Sequence, residues 1–226
     1  MTKISSREII DVVEYTDDKI IIVEKIPEID LTRYKVNYFI YNLKSGEKEV
    51  ITKSAYLLKK FGSAYQTICE SLPGYVQSDT HILKDKSVFV IFPNGECGLF
   101  DHNGKIQWNK ELKYKESPVT SLAADGNYIW CVCKDENCVI RYFCDNFQVD
   151  LRIGSKDSNT FDSPCFVSAD NENVYVCCAS RLRAINKRDF TVSDIGGFND
   201  NLRRFYRFGR YTLLCTTDGA YIAEDE

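Results

Sequence analysis

Long apolar runs are missing from this chain. Stretches such as Ile20-Ile-Ile-Val23 are strand-length and end in charges, well short of the roughly 18 residues that span a bilayer. No apolar leader core follows Met1-Thr-Lys-Ile-Ser-Ser6, so a cytoplasmic location without membrane attachment is expected. An excess of positive charge is missing too. Lys and Arg total 29 against 33 Asp and Glu, a net charge of -4, which disfavours nucleic acid as a whole-surface partner. Methionine occurs only at position 1, which rules out a Met-rich adaptable groove. There is no Gly-rich strand-to-helix fingerprint, no Gly-Lys-Ser/Thr loop and no EF-hand spacing, so the common phosphate and calcium loops are excluded.

What is present favours sheet. Aromatic residues reach 13%, with 14 Tyr and 13 Phe, and such side chains suit a pleated, half-buried surface. The ten Cys fall mostly inside strand-like runs, as in Trp130-Cys-Val-Cys133, Val176-Cys-Cys178 and Leu214-Cys215. They read as reduced packing thiols, because free Cys behaves as a small hydrophobe.

The strongest signal is a repeat. Asp18-Lys-Ile-Ile-Ile-Val-Glu24, Lys86-Ser-Val-Phe-Val-Ile-Phe92, Gly126-Asn-Tyr-Ile-Trp-Cys-Val132, Glu172-Asn-Val-Tyr-Val-Cys-Cys178 and Gly209-Arg-Tyr-Thr-Leu-Leu-Cys215 are five versions of one short apolar strand. Most follow a polar turn of Asp, Asn or Gly, residues that tolerate positive φ. A further strand precedes most of these turns, for example Ile9–Tyr15, Val119–Ala124 and Cys165–Ala169. Third strands follow, such as Tyr38–Asn42, Cys97–Asp101 and Arg181–Asn186, each closing at Asp or Asn, and then a fourth. From the second unit on, the spacing is about 40 residues, as in a propeller blade.

Asp101-His-Asn-Gly-Lys-Ile-Gln-Trp108 resembles the pyrroloquinoline-quinone-type propeller repeat, in which an Asp precedes a Gly turn and a Trp ends the outer strand. Ala124-Asp-Gly-Asn-Tyr-Ile-Trp130 and Ala169-Asp-Asn-Glu-Asn-Val-Tyr175 are similar to the first hairpin of NHL-type propellers. The Trp stands in one unit only, and Val50 takes its place in the first. The resemblance implies an all-β fold, a small β-propeller of five four-stranded units. A sandwich or irregular barrel is the alternative. It does not imply that the quinone is bound, and no cofactor is expected.

The first unit is irregular, since 68 positions separate Ile20 from Val88. Leu58, Phe61, Tyr65, Ile68 and Leu72 recur at helical steps, which predicts a helical or irregular insertion over residues 55–71, with Gly62 interrupting it. The last unit ends after its third strand at Ala220–Glu226, so the N-terminal residues are expected to supply its outer strand and make residues 1–226 one domain.

Residues able to carry chemistry are few. Cys131 and Cys133 share a strand face, but no Cys-x-x-Cys pair exists, so no metal is expected. The two His residues, His81 and His102, read as a loop or strand-edge residue and a solvated turn residue. One charge asymmetry remains. From Arg181 to Tyr211 there are eight basic residues against three acidic ones, Asp189, Asp194 and Asp200. Arg203, Arg204, Arg207 and Arg210 interleave with Phe205, Tyr206, Phe208 and Tyr211 on the last inner strand. Alternation puts Arg203 and Arg207 on one face with Phe205, and Arg204 with Tyr206 on the other. Either face would offer cations to an anion in a central funnel; the plain alternative pairs these Arg with Asp-rich turns. The expected function is a monomeric, non-catalytic binding module for a protein or an anionic small molecule. The competing expectation is a lyase or hydrolase, which would need acid, base or metal-ligand groups converging on the axis.

Overall fold

The computed structural model describes residues 1–27, 34–71, 78–92, 94–179, 181–197 and 202–225. Leu72 and Asp200 lie outside the described residues, as does the side chain of Trp108. Strand β1 (Thr2–Ser5) opens the chain. The first four-stranded sheet follows: β2 (Ile9–Thr16), β3 (Lys19–Pro27), β4 (Tyr34–Asn42) and β5 (Lys48–Val50). The second holds β6 (Asp79–Ile82), β7 (Val88–Ile91), β8 (Glu96–Phe100) and β9 (Ile106–Glu111). A short hairpin, β10 (Lys113–Tyr114) with β11 (Ser117–Pro118), leads to the third. That sheet is β12 (Thr120–Asp125), β13 (Tyr128–Cys133), β14 (Cys138–Phe143) and β15 (Val149–Gly154). The fourth is β16 (Phe166–Ala169), β17 (Asn173–Cys177), β18 (Arg181–Asn186) and β19 (Val192–Gly197). The last is β20 (Leu202–Phe208), β21 (Tyr211–Thr216) and β22 (Gly219–Glu224), with β1 paired antiparallel outside β22.

All pairings are antiparallel meanders, and the repeat explains why. In the first, second and fourth sheets the third strand closes at a side chain that caps its own turn. Asn42 Oδ1 accepts from the Lys44 and Ser45 amides, and Asp101 Oδ1 from those of Asn103 and Lys105. Such Asx contacts replace the ladder bonds that end at a turn.

The sheets stand in a ring, because every central strand is buried on both faces. In β3, Ile20 and Ile22 pack with Leu213, Cys215 and Ile222 of the last sheet, whereas Ile21 and Val23 pack with Val88, Val90 and Phe100 of the second. In β13, Ile129, Cys131 and Cys133 face the second sheet, and Trp130 and Val132 the fourth. Burial on both faces is why these strands read as continuous apolar runs rather than alternating ones. Seven of the ten Cys are buried and act as core side chains, Cys131, Cys138 and Cys215 among them. No helix among the described residues is long and apolar enough to cross a membrane.

The insertion is helical. Helix α1 (Lys53–Phe61) starts at Thr52, whose hydroxyl accepts from the Ala55 amide at 3.2 Å. It stops at Gly62, where φ is 68°, a value that favours glycine. A 3-10 turn and a second short helix, α2 (Tyr65–Ser71), follow. Tyr56, Leu57, Phe61, Ala64 and Ile68 fill the core between the first two sheets, so the insertion is a wedge in the ring rather than an appendage.

Candidate functional site

The inner strands β2, β6, β12, β16 and β20 surround an axial channel. At the end where these strands begin it opens into a cavity of about 380 Å³. A middle section of about 290 Å³ and a far section of about 400 Å³ continue along the axis.

Titratable groups do converge on this axis, but they bind one another. Asp11, on β2, is buried. Its Oδ2 accepts from Tyr56 Oη at 2.6 Å and Lys60 Nζ at 2.7 Å, and its Oδ1 from the Val12 amide at 2.9 Å. Lys60 also donates to the Ser78 carbonyl just before β6. One buried lysine of α1 therefore joins two neighbouring sheets. Burial, and then the Asp11 charge, push the Tyr56 phenol well above its usual range, which keeps it a donor.

Arg204 crosses the channel. Its Nη1 lies 3.5 Å from Asp79 Oδ1 and donates to Tyr206 Oη at 3.2 Å, and the guanidinium stacks on Phe166 at 4.9 Å from the ring centre. Burial works against its charge, yet Tyr206, Asp79 and Asp11 more than offset that and hold it above the ordinary arginine range. Asp79 Oδ2 in turn accepts from the Leu122 amide at 3.0 Å.

The four candidate arginines take different places. Arg204 and Tyr206 supply the face that points into the channel. Arg203 lines the rim with Lys134 of the β13–β14 turn. Phe205 is buried against Tyr175, with ring centres 4.7 Å apart. Arg207 takes the plain alternative: it pairs with Asp225 at 2.5 Å and with Asp170, in the turn of the fourth sheet, at 4.0 Å. Arg210 sits outside the channel and pairs with Glu224 at 3.0 Å. Lys60, Asp11 and Asp79 carried no sequence signal, because each acts through partners far along the chain.

The rim has a structural signature of its own. Register slips between Ile9 and Asp11 in β2, between Thr120 and Ala123 in β12, and between Leu202 and Arg204 in β20. All three bulges lie at the mouth, and within the β12 bulge Ser121 holds a φ of 56°. Bulges of this kind re-aim side chains beside binding sites. Burial pushes the Cys165 thiol up while Arg203, Lys134 and Arg204 pull it down, so three cations gather at one point of the rim.

Neither histidine reaches this mouth. His102 is exposed beside Asn103. His81 lines an off-axis groove of about 880 Å³ between the second and third sheets. Burial holds its imidazole below the usual 6.5, so the fold favours the neutral ring. The unfolded chain then takes up the proton first, and stability falls as pH drops through about 6.5. The His81→Gln variant should show a flatter melting profile than wild type between about pH 7 and pH 5.5. An unchanged slope would assign that loss to other groups.

A closed ring of five four-stranded meanders around a charged axial channel defines the class: this is a five-bladed β-propeller. No protein-family model matches the sequence, and no curated protein matches it. Among solved structures the chain is similar to the nidogen/laminin complex, with a TM-score of 0.55 and 10% identity over 97% of this chain and 76% of that one. It is also similar to a streptogramin B lyase, at a TM-score of 0.45 and 9% identity over 100% of this chain and 71% of that one. A third is the Cps50 (Swd1) β-propeller domain of Myceliophteria thermophila, at 0.46 and 10% over 65% of this chain and 51% of that one. The first likeness speaks for the fold alone, and nothing is drawn from the other two.

Proposed function

We propose that this chain is a non-catalytic binding module that grips an anionic group of its partner at the channel mouth. The partner is a protein or a small anionic molecule. The observation that carries the reading is that Arg203 and Lys134 line the mouth without an ion-pair partner among the described residues, whereas Arg207 and Arg210 are paired. The three bulges at the same rim support it. An enzyme in the funnel would need a group free to move a proton or bind a metal. Asp11 and Asp79 are instead held by donors, and among the described residues no cluster of His, Cys, Asp and Glu is arranged for a metal ion.

Calorimetric titration of the full chain with benzoate, sulfate and inorganic phosphate at low ionic strength tests the reading. At least one anion should saturate, and added salt should weaken it. In the Lys134→Ala, Arg203→Ala double variant that affinity should drop at least about tenfold. Equal affinity in the variant, or no saturation by any anion, would overturn the proposal.

A further inference from the structure

The floor of the mouth narrows the chemistry of the ligand. Arg204 commits only Nη1 to partners: Asp79 and the Tyr206 hydroxyl. Its Nε and Nη2 make no hydrogen bond among the described residues, and they are not among the buried, unpartnered side-chain atoms of the fold. That leaves one planar donor edge of a guanidinium, pinned by its stack on Phe166, open toward the cavity. Such an edge matches the two oxygens of a carboxylate in a bidentate pair.

The lining is mixed: Ile9, Ile10, Phe92, Pro164 and Phe166 supply an apolar side beside the polar Thr120 and Ser121. The same fork also fits a phosphate, so the choice between the two falls to the charges around it. Asp79 and Glu8 also line this cavity, and two carboxylates near the floor and rim oppose a dianion. A volume of about 380 Å³ lies at the small end of the range for organic ligands, and such sites combine apolar walls with a few placed polar groups.

We infer that the mouth takes a small monocarboxylate with an apolar body, its carboxylate on the free edge of Arg204 and its hydrocarbon against Ile10, Phe92 and Phe166. This rests on the reading of the rim as an anion site. Arg203 and Lys134 draw the anion in, and Arg204 selects its shape.

A homologous series tests this on the intact chain. Acetate, butanoate, hexanoate and octanoate should bind with affinity rising about fourfold per methylene until the cavity is full. Hexanamide, which keeps the body and loses the charge, should bind at least about tenfold more weakly than hexanoate, and hexyl phosphate should bind no tighter. The Arg204→Lys variant keeps the charge and loses the fork, so it should weaken hexanoate while leaving the response to added salt in place. Should that variant fail to fold, the ligand series in wild type still decides. A flat series, or hexyl phosphate preferred over hexanoate, would overturn this inference while leaving the anion site standing. No response to any anion would overturn both. A tetrapeptide ending in a free leucine carboxylate that outbinds octanoate would replace the small acid with a peptide terminus and so overturn the assignment.

Discussion

The Lys60→Met variant should unfold about 3–5 kcal/mol more easily than wild type, because it strands the Asp11 carboxylate in the core. Both side chains are nearly sealed from solvent, at 2% and 5% exposure, and lie 2.7 Å apart. Removing one partner of such a pair costs far more than the pair itself is worth, since the remaining charge keeps its desolvation penalty. For a chain of 226 residues this corresponds to a melting temperature lower by roughly 10 °C. The second variant separates a charge effect from lost packing. Lys60→Met combined with Asp11→Leu should recover most of the loss, because a buried pair replaced by apolar groups is often near neutral. Tyr56 then loses its acceptor, so recovery should stop short of wild type by about 1–2 kcal/mol. Thermal and denaturant melts of the three chains check this. A single variant within about 1 kcal/mol of wild type would mean that water reaches Asp11 and that α1 does not hold the first two blades together.

Deleting residues 2–6 should lower stability by about 4 kcal/mol, a sum of one buried isoleucine and several strand hydrogen bonds. Thr2, Lys3 and Ser5 pair with Ile222, Tyr221 and Ala220, and Ile4 is buried in the core shared by the last and first blades. The deletion bares the edge of β22 as well, so aggregation on heating should rise. A smaller change makes the same point. Gly219 sits at φ 148°, and a methyl group there would stand 2.2 Å from the Ser5 carbonyl oxygen. Gly219→Ala should therefore push β1 off and reproduce part of the deletion. A melting temperature unchanged in both variants would show that the ring holds without this strand.

The two expectations differ in how far the sequence foretold them. Strand closure was legible, because a last unit of three strands and a spare N-terminal strand leave one economical way to remove an edge. The helical insertion was legible as well, since Leu58, Phe61, Tyr65 and Ile68 keep a helical period. The helix itself begins at Lys53, two residues before the apolar series points to it. What the insertion does was not legible. Lys60 meets Asp11 across 49 positions, and a charged residue in a helix reads as solvated until the ring brings an acid to it.

The candidate site divides the same way. Alternation along β20 put Arg204 with Tyr206, which share a hydrogen bond, but it put Arg203 on the opposite face, whereas the slip between Leu202 and Arg204 leaves Arg203 at the mouth beside Arg204. It did not say which group faces the axis. A period of two sets relative faces only, and the absolute direction comes from packing: Phe205 docks on Tyr175 of the neighbouring blade and turns Arg204 inward. Lys134 was silent because a lone lysine in a turn has no pattern, and the three bulges were silent because a register slip exists only between paired strands. By itself, then, the sequence pointed to about five blades, to the turns that end their strands and to a strand that closes them, all properties of short-range pattern. The tertiary structure decided which charges neutralise one another inside the channel and which remain open at its mouth, because electrostatic partnership depends on distances that only the closed ring creates.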